Sequence, residues 1–172
     1  MSKLDDLIRE YCPNGVEYKT VDQICDYVDY RGKTPNKTES GIQLVTAKNI
    51  KSGYIDYAIS KEYVSKKDYD IVMKRGKPKL GDVLITTEAP CGNVAQVDKT
   101  DIALAQRVIK YRSKSPNYSN DFLKYVFLSK NFQDQLKRAS TGATVKGIKG
   151  KKLNKLLIPV RAYSRAYSRA YS

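Results

Sequence analysis

The chain has 172 residues, 41% hydrophobic and 29% charged, and a formal net charge of +14. That length supports one domain with a real core, and no apolar run approaches the ~18 residues of a membrane span. The absence of His removes Ser–His and Cys–His catalysis and most zinc chemistry; Cys12, Cys25 and Cys91, at unrelated spacings, argue against a disulfide framework.

In chain order, Ser2 is placed to cap a short helix over 2–11, with Leu4, Leu7 and Ile8 on one face, stopped by Pro13-Asn14-Gly15. No signal or transit pattern is evident in this acidic start, so cytoplasm is the expected location. Residues 16–19 read as a short strand. Thr20-Val21-Asp22-Gln23 then resembles a capping box opening a turn or two of helix to about Tyr27. This acidic segment is expected to pack on the domain or face a protein partner rather than touch a polyanion.

Residues 30–40 form a polar loop carrying Arg31, Gly32, Lys33, Thr34 and Lys37: either a solvated loop or one that contacts phosphate. Its GKT is not a P-loop, because the upstream Gly and the preceding strand pattern are missing. Residues 41–45 read as a strand. The following Lys48, Asn49 and Lys51 either contact a nucleic acid, Asn being able to pair bidentately with adenine, or form a surface turn. Residues 54–58 are a predicted strand and 66–74 a predicted helix capped by Ser65, with Tyr69, Val72 and Met73 at helical spacing. Lys74, Arg75, Lys77 and Lys79 make the next turn strongly basic, either for phosphate or for solubility.

Residues 81–97 read as a hairpin. Val83 to Thr86 is a β-branched apolar run, Pro90-Cys91-Gly92-Asn93 a turn, and Val94 to Val97 the returning strand. Its tip, from Thr86 to Asn93, is polar and presents Thr87 and Glu88. Cys91 reads as a small turn residue, and nothing in the sequence supplies a base to activate it as a nucleophile. Gln106 and Arg107 stand just before a strand over 108–111; Arg107 either reads a base or braces the fold through a carboxylate. A loop over 113–119 leads to a helix capped by Asn120, apolar on more than one side and so expected to be buried. A second helix runs from Asn131 to about Arg138. The loop from Ala139 to Gly150 combines Ser140, Thr141 and Thr144 with Gly142, Gly147, Lys146 and Lys149, a composition suited to phosphate. A helical turn over 151–156, an apolar run to Val160 and three copies of Arg-Ala-Tyr-Ser (161–172) complete the chain.

Charge is segregated. Counting Lys and Arg against Asp and Glu, residues 1–30 carry −4, 31–80 carry +7, 81–110 carry −1 and 111–172 carry +12. Two basic blocks thus flank a near-neutral hairpin, and a polyanion is the natural partner. The 14 Tyr are scattered, with only 3 Phe and no Trp. That argues against the alternative of a general RNA- or single-strand-binding protein built on stacking platforms.

GDVLI at 81–85, the Gly-containing turn, the VA strand and AL-x-QRVI at 103–109, together with YRGKTP at 30–35, GIQLVTAKNIKSGYI at 41–55 and TGATVKGIKGKKLNKLLIPV at 141–160, occur in an order that resembles the target-recognition domain of type I restriction–modification specificity subunits (HsdS). The resemblance implies an α+β fold with a mixed, mostly antiparallel sheet and packed helices over 1–160, and places 161–172 at the start of a spacer helix or a disordered tail. It implies recognition of one half of a bipartite site in double-stranded DNA. Catalysis would lie in partner methyltransferase (modification) subunits and a restriction/translocase subunit, with no cofactor on this chain. A second recognition domain, a Pro-rich spacer entry and an acidic spacer helix, which the family carries, do not follow here. Two copies could restore the two-domain arrangement as a weak homodimer. The expected DNA contacts are Arg31, Lys33, Thr34, Lys48, Asn49, Lys51, Lys74, Arg75, Lys77, Thr87, Glu88, Arg107, Thr144, Lys146 and Lys149.

Overall fold

Residues 83–87 are buried at every position, and a strand without a polar face must be covered on both sides. The rest of the fold supplies the two covers. The computed structural model describes residues 6, 9, 10, 12–30 and 34–160. The predicted 2–11 helix (apart from 6, 9 and 10, which are helical), Arg31, Lys33 and the repeat tail lie outside the described residues.

The elements are β1 (Glu17–Thr20), α1 (Val21–Ile24), β2 (Cys25–Asp29), β3 (Ile42–Val45), β4 (Glu62–Val64), α2 (Tyr69–Val72), β5 (Val83–Thr87), β6 (Cys91–Gln96), β7 (Ile102–Leu104), β8 (Val108–Ser113), α3 (Asn120–Leu128), α4 (Lys130–Ala139), α5 (Gly150–Leu153) and β9 (Leu157–Val160). They form a four-stranded antiparallel sheet β2-β8-β5-β6, a three-stranded sheet β4-β3-β7 and a β1-β9 ribbon. One pair, β3 with β7, is parallel. The expected α+β, mostly antiparallel architecture is the one observed.

Side-chain alternation sorts the large sheet's residues between two cores. Val83, Ile85, Val94, Ile109 and Tyr111 face α3 and α4, meeting Leu123, Phe127, Phe132 and Leu136. Leu84, Ala95 and Val108 face the other way, onto Leu44, Val45, Ile102 and Leu104 of the smaller sheet. Phe127 is edge-on to Tyr111 (5.4 Å) and stacked on Phe132 (4.5 Å); each such buried side chain contributes about 1.5–3 kcal/mol. Gly92 lets α4 approach the hairpin: a Cβ there would lie 2.6 Å from Leu136 Cδ2, and its φ of +93° suits glycine.

A charged cluster is built into the second face. The Asp82 carboxylate, fully buried, accepts from Arg112 Nε and Nη2 (2.7 Å each) and from the Lys79 N–H (2.8 Å). The Lys110 ammonium, also buried, lies 3.4 Å from it. Burial pushes the Asp82 carboxyl up, but the Arg112 bonds, the Lys79 amide and the Lys110 charge outweigh it and hold it below the usual carboxylate range. Burial likewise depresses Lys110, against the pull of Asp82.

Several predicted elements differ. The capping box forms, with Gln23 Oε1 accepting from the Thr20 N–H (2.9 Å), but its helix lasts one turn because Cys25–Asp29 is drawn into the sheet beside β8. Residues 54–58 are not a strand; only an Ile50–Ile55 bridge forms, and strand pairing falls on Glu62–Val64 instead. The helix at 66–74 shrinks to α2, flanked by turns. The caps of α3 and α4 are Ser119 and Ser129, whose side chains accept from the Phe122 and Phe132 N–H groups. Asn120 instead bonds the Ser113 N–H. Helix α3 is buried on one side only, with Phe122 and Tyr125 exposed. The acidic N-terminal segment packs on the domain as expected: Asp22 pairs with Lys155 (2.8 Å), and β1 pairs with β9.

Candidate nucleic-acid interface

Four loops meet at one end of the four-stranded sheet. The β5–β6 tip is tied to the β7–β8 turn by a bond from the Thr87 N–H to the Arg107 carbonyl (2.9 Å), and to the 141–149 loop by a bond from the Ile148 N–H to the Thr87 carbonyl (2.9 Å). Glu88 also bridges Gly147. The 141–147 segment closes on itself through paired Thr141 and Gly147 main-chain bonds (2.9 and 3.0 Å). Gly142 makes that ring possible: at φ +122° a Cβ would fall 2.1 Å from the Val145 carbonyl oxygen. The fourth loop joins through Gln106 Nε2, which donates to Thr34 Oγ1 (3.0 Å).

Three clefts open around this junction. One of about 500 Å³ is lined by Thr87, Glu88, Gln106, Arg107, Thr141 and Lys149, among others. A second, about 190 Å³, lies between Thr34, Lys37, Lys48, Ala89 and Arg107. A third, about 450 Å³, is bounded by Pro90, Cys91, Lys137, Thr144 and Lys146. Together they hold the cations Lys37, Lys48, Arg107, Lys137, Lys146 and Lys149 against the acids Glu62 and Glu88. Lys37 pairs with Glu62 at 3.0 Å.

Arg107 occupies the centre, lining two clefts with its side chain half exposed. Its φ is +67°, left-handed backbone that a non-glycine residue adopts at a cost of order 1–3 kcal/mol, a strain that clusters at functional sites. Glu88 Oε2 lies 3.9 Å from Arg107 Nε, with both side chains about half exposed (46% and 53%). The carboxylate brace that a strand-entering Arg suggests is made by Arg112 to Asp82, five residues on.

The sequence-derived contacts divide. Thr34, Lys48, Thr87, Glu88, Arg107, Thr144, Lys146 and Lys149 come together at the clefts. Asn49 does not suit base reading: it is fully buried, Oδ1 accepts from the Thr46 N–H and hydroxyl (3.0 and 3.1 Å), and Nδ2 donates to the Asp56 and Ser60 carbonyls (2.9 and 3.0 Å). Its bonding capacity is spent on holding the 46–60 segment. Thr87 is 5% exposed, so it fixes its neighbours through its main chain rather than reaching out itself. Lys51 lies by the turn that packs on β6, where the Gly53 N–H bonds the Val94 carbonyl. Lys74, Arg75 and Lys77 sit at another turn, away from the clefts' linings. There Arg75 donates to the Asp29 carbonyl (2.9 Å) and Lys77 pairs with Asp70 (2.6 Å).

Lys37, Lys137 and Gln106 belong to the site but not to the expected contacts. Lys37 and Gln106 were visible as a loop cation and as the neighbour of Arg107. Lys137, in the last turn of α4, had no local signal. The Cys91 thiol is half-buried beside Ser140 Oγ (3.6 Å). Burial pushes it up despite that hydroxyl, the opposite of an activated nucleophile.

An antiparallel sheet backed by helices on one face and by a smaller mixed sheet on the other, with one end given over to a stitched, cation-rich junction of loops, defines a scaffold for a polyanionic ligand. A family model, the type I restriction modification DNA specificity domain, matches residues 13–160, and the chain belongs to that family. Among solved structures, the type I restriction-modification S subunit from M. genitalium superposes with a TM-score of 0.59 at 17% identity, covering 91% of this chain and 37% of that one. A chain from a study of the assembly and conformational transition of the type I R-M system gives 0.59 at 17%, covering 92% and 36%. The HsdS subunit from Thermoanaerobacter tengcongensis gives 0.54 at 17%, covering 91% and 38%. At that identity the likeness speaks for the fold. The present chain spans little more than a third of each of those chains. No curated protein matches the sequence at a significant level.

Proposed function

We propose that this chain reads a short sequence in double-stranded DNA, one half of a bipartite site, as a specificity component of a type I restriction–modification complex. Methyltransferase and restriction/translocase subunits would carry the chemistry, and this chain would contribute recognition with no cofactor of its own. Residues 13–160 would be the recognition unit, with the repeat tail outside it. Family membership supports the reading, and the observation that carries it is the junction of four loops. Its main chains are bonded to one another, its cations are spread over three adjoining clefts, and it presents Gln106, Arg107 and Glu88, side chains that can bond base edges. Among the described residues no helix is long and apolar enough to cross a membrane, and a cytoplasmic site of action fits the function.

The rival reading, a general RNA- or single-strand-binding protein, calls for exposed aromatic rings beside the basic groove. Among the described residues, exposed Tyr18, Tyr27, Tyr54, Phe122 and Tyr125 line none of the three clefts. Selection from a random duplex library, followed by competition with the same sequence as single-stranded DNA and as RNA, separates the two readings. The proposal expects a short motif and a preference for duplex; equal competition by RNA would favour the rival. Two copies arranged around a two-fold axis would read a palindromic pair of half-sites, and light scattering should then find a weak dimer at most for the chain alone.

A further inference from the structure

We propose that Glu88 and Arg107 act as one unit that reads a single G·C base pair, Arg107 on the guanine edge and Glu88 on the cytosine amino group. This rests on the duplex-reading function above and names what its central side chains recognise.

Both side chains leave from a fixed base. Arg107 is held through its carbonyl by the Thr87 N–H, and Glu88 follows Thr87 directly and bridges Gly147. The two charged groups project into the same cleft of about 500 Å³. At 3.9 Å the Arg107 Nε–Glu88 Oε2 approach is longer than a hydrogen bond, so the pair is loosely joined and both groups keep bonding capacity for a ligand. An ion pair this exposed adds little to stability, too little to explain why either residue stands there.

Two features run against a purely structural role. The turn holds an arginine at φ +67°, where Gly or Asn would be more at ease. A carboxylate among lysines that face a polyanion repels phosphate, so its presence suits a neutral donor. The major-groove edge of G·C offers such a donor, the cytosine amino group, beside the guanine N7 and O6 acceptors. The guanidinium fork spans the two acceptors while the carboxylate takes the amino hydrogen. On A·T the same fork meets the adenine amino group and loses one of its two bonds.

The test is motif selection from a random duplex library with the full chain and three variants: Glu88→Gln, Arg107→Lys and Arg107→Ala. The expected wild-type motif contains one G·C column that all three variants relax, by roughly 5- to 150-fold in relative affinity, with the other columns unchanged. Arg107→Lys keeps the charge and removes the fork. It therefore separates the loss of the fork from the loss of charge, and it decides the matter if Arg107→Ala does not fold. Should Glu88→Gln tighten every duplex alike and alter no column, Glu88 only neutralises charge and the pair is no reader. Variants that relax different columns, or an A·T column, overturn the proposal while leaving duplex recognition standing. A wild-type chain that selects no motif removes both.

Discussion

Asp82→Asn should be one of the most destabilising single changes in this chain, although Asp82 lies outside every cleft described above. The substitution keeps the volume and removes the charge. Two 2.7 Å bonds from Arg112 weaken, and Lys110 keeps a buried ammonium with its counter-ion gone. Breaking a buried pair costs about 3–5 kcal/mol. Arg112 is one-third exposed and can turn to water, which places the expected loss near ~3 kcal/mol. For a domain of this size, at roughly 2–4 °C per kcal/mol, the melting temperature should fall by about 6–12 °C. Circular dichroism melts measure it, with Lys110→Met in the Asp82→Asn background as a partial rescue, because it removes the orphaned charge. The pH dependence follows. The folded Asp82 pKa lies below its unfolded value of 3.8, so its contribution is complete above that value and is lost as pH falls through the folded pKa. Lys110 is depressed below 10.5, so stability is gained as pH rises from its folded pKa to its unfolded one, and the gain should be larger and begin lower in Asp82→Asn. A variant that melts within about 2 °C of wild type, on the order of 1 kcal/mol or less, would refute the role of this charged cluster.

Asn49→Ala should lower stability by about 2–4 kcal/mol, since it leaves the Asp56 carbonyl without its side-chain donor, the Ser60 carbonyl with only the longer Gln43 bond (3.4 Å) and the Thr46 N–H without its acceptor, and it should not alter base preference; a melt and a selected motif check both. Gly142→Ala should disrupt the closed 141–147 ring, by clash with the Val145 carbonyl and by its φ, and weaken DNA binding several-fold with little change in melting temperature, read by titration and melt. Lys146→Ala and Lys149→Ala should each weaken all duplexes alike and reduce the salt slope by about 1.

The strands of the hairpin and the two C-terminal helices were legible because their signals are local: the apolar β-branched runs and apolar residues at helical spacing. The turn residues misled, since Cys91, Gly92 and Asn93 belong to β6 and the chain reverses at 88–90, and the first cap falls on Ser119 rather than Asn120. Arg107 and the 139–150 loop were legible by composition. Cys25–Asp29 was not, because two aspartates in five residues argue against a strand. What makes it one is its partner, β8, which sets Arg112 opposite Asp26. Asn49 sits in a polar stretch, and only the return of residues 54–60 buries it. The parallel β3–β7 pairing likewise joins residues some sixty positions apart. The basic turn at 74–77 shows the limit of composition: charge density marked it, yet it lies away from the clefts, with Arg75 donating to the Asp29 carbonyl and Lys77 paired with Asp70.

Duplex recognition through the loop junction is tested most directly by titrating the full chain, at several salt concentrations, against its selected duplex and a scrambled one. Four lysines at the clefts, Lys48, Lys137, Lys146 and Lys149, are available to phosphates, and Lys37 becomes a fifth once a phosphate displaces Glu62 from it. At roughly −0.9 per phosphate, log K should fall against log salt with a slope of about −4 to −5. The selected duplex should bind about a thousand-fold or more tighter than the scrambled one at every salt. A flat salt response, or two duplexes bound alike, would contradict the account.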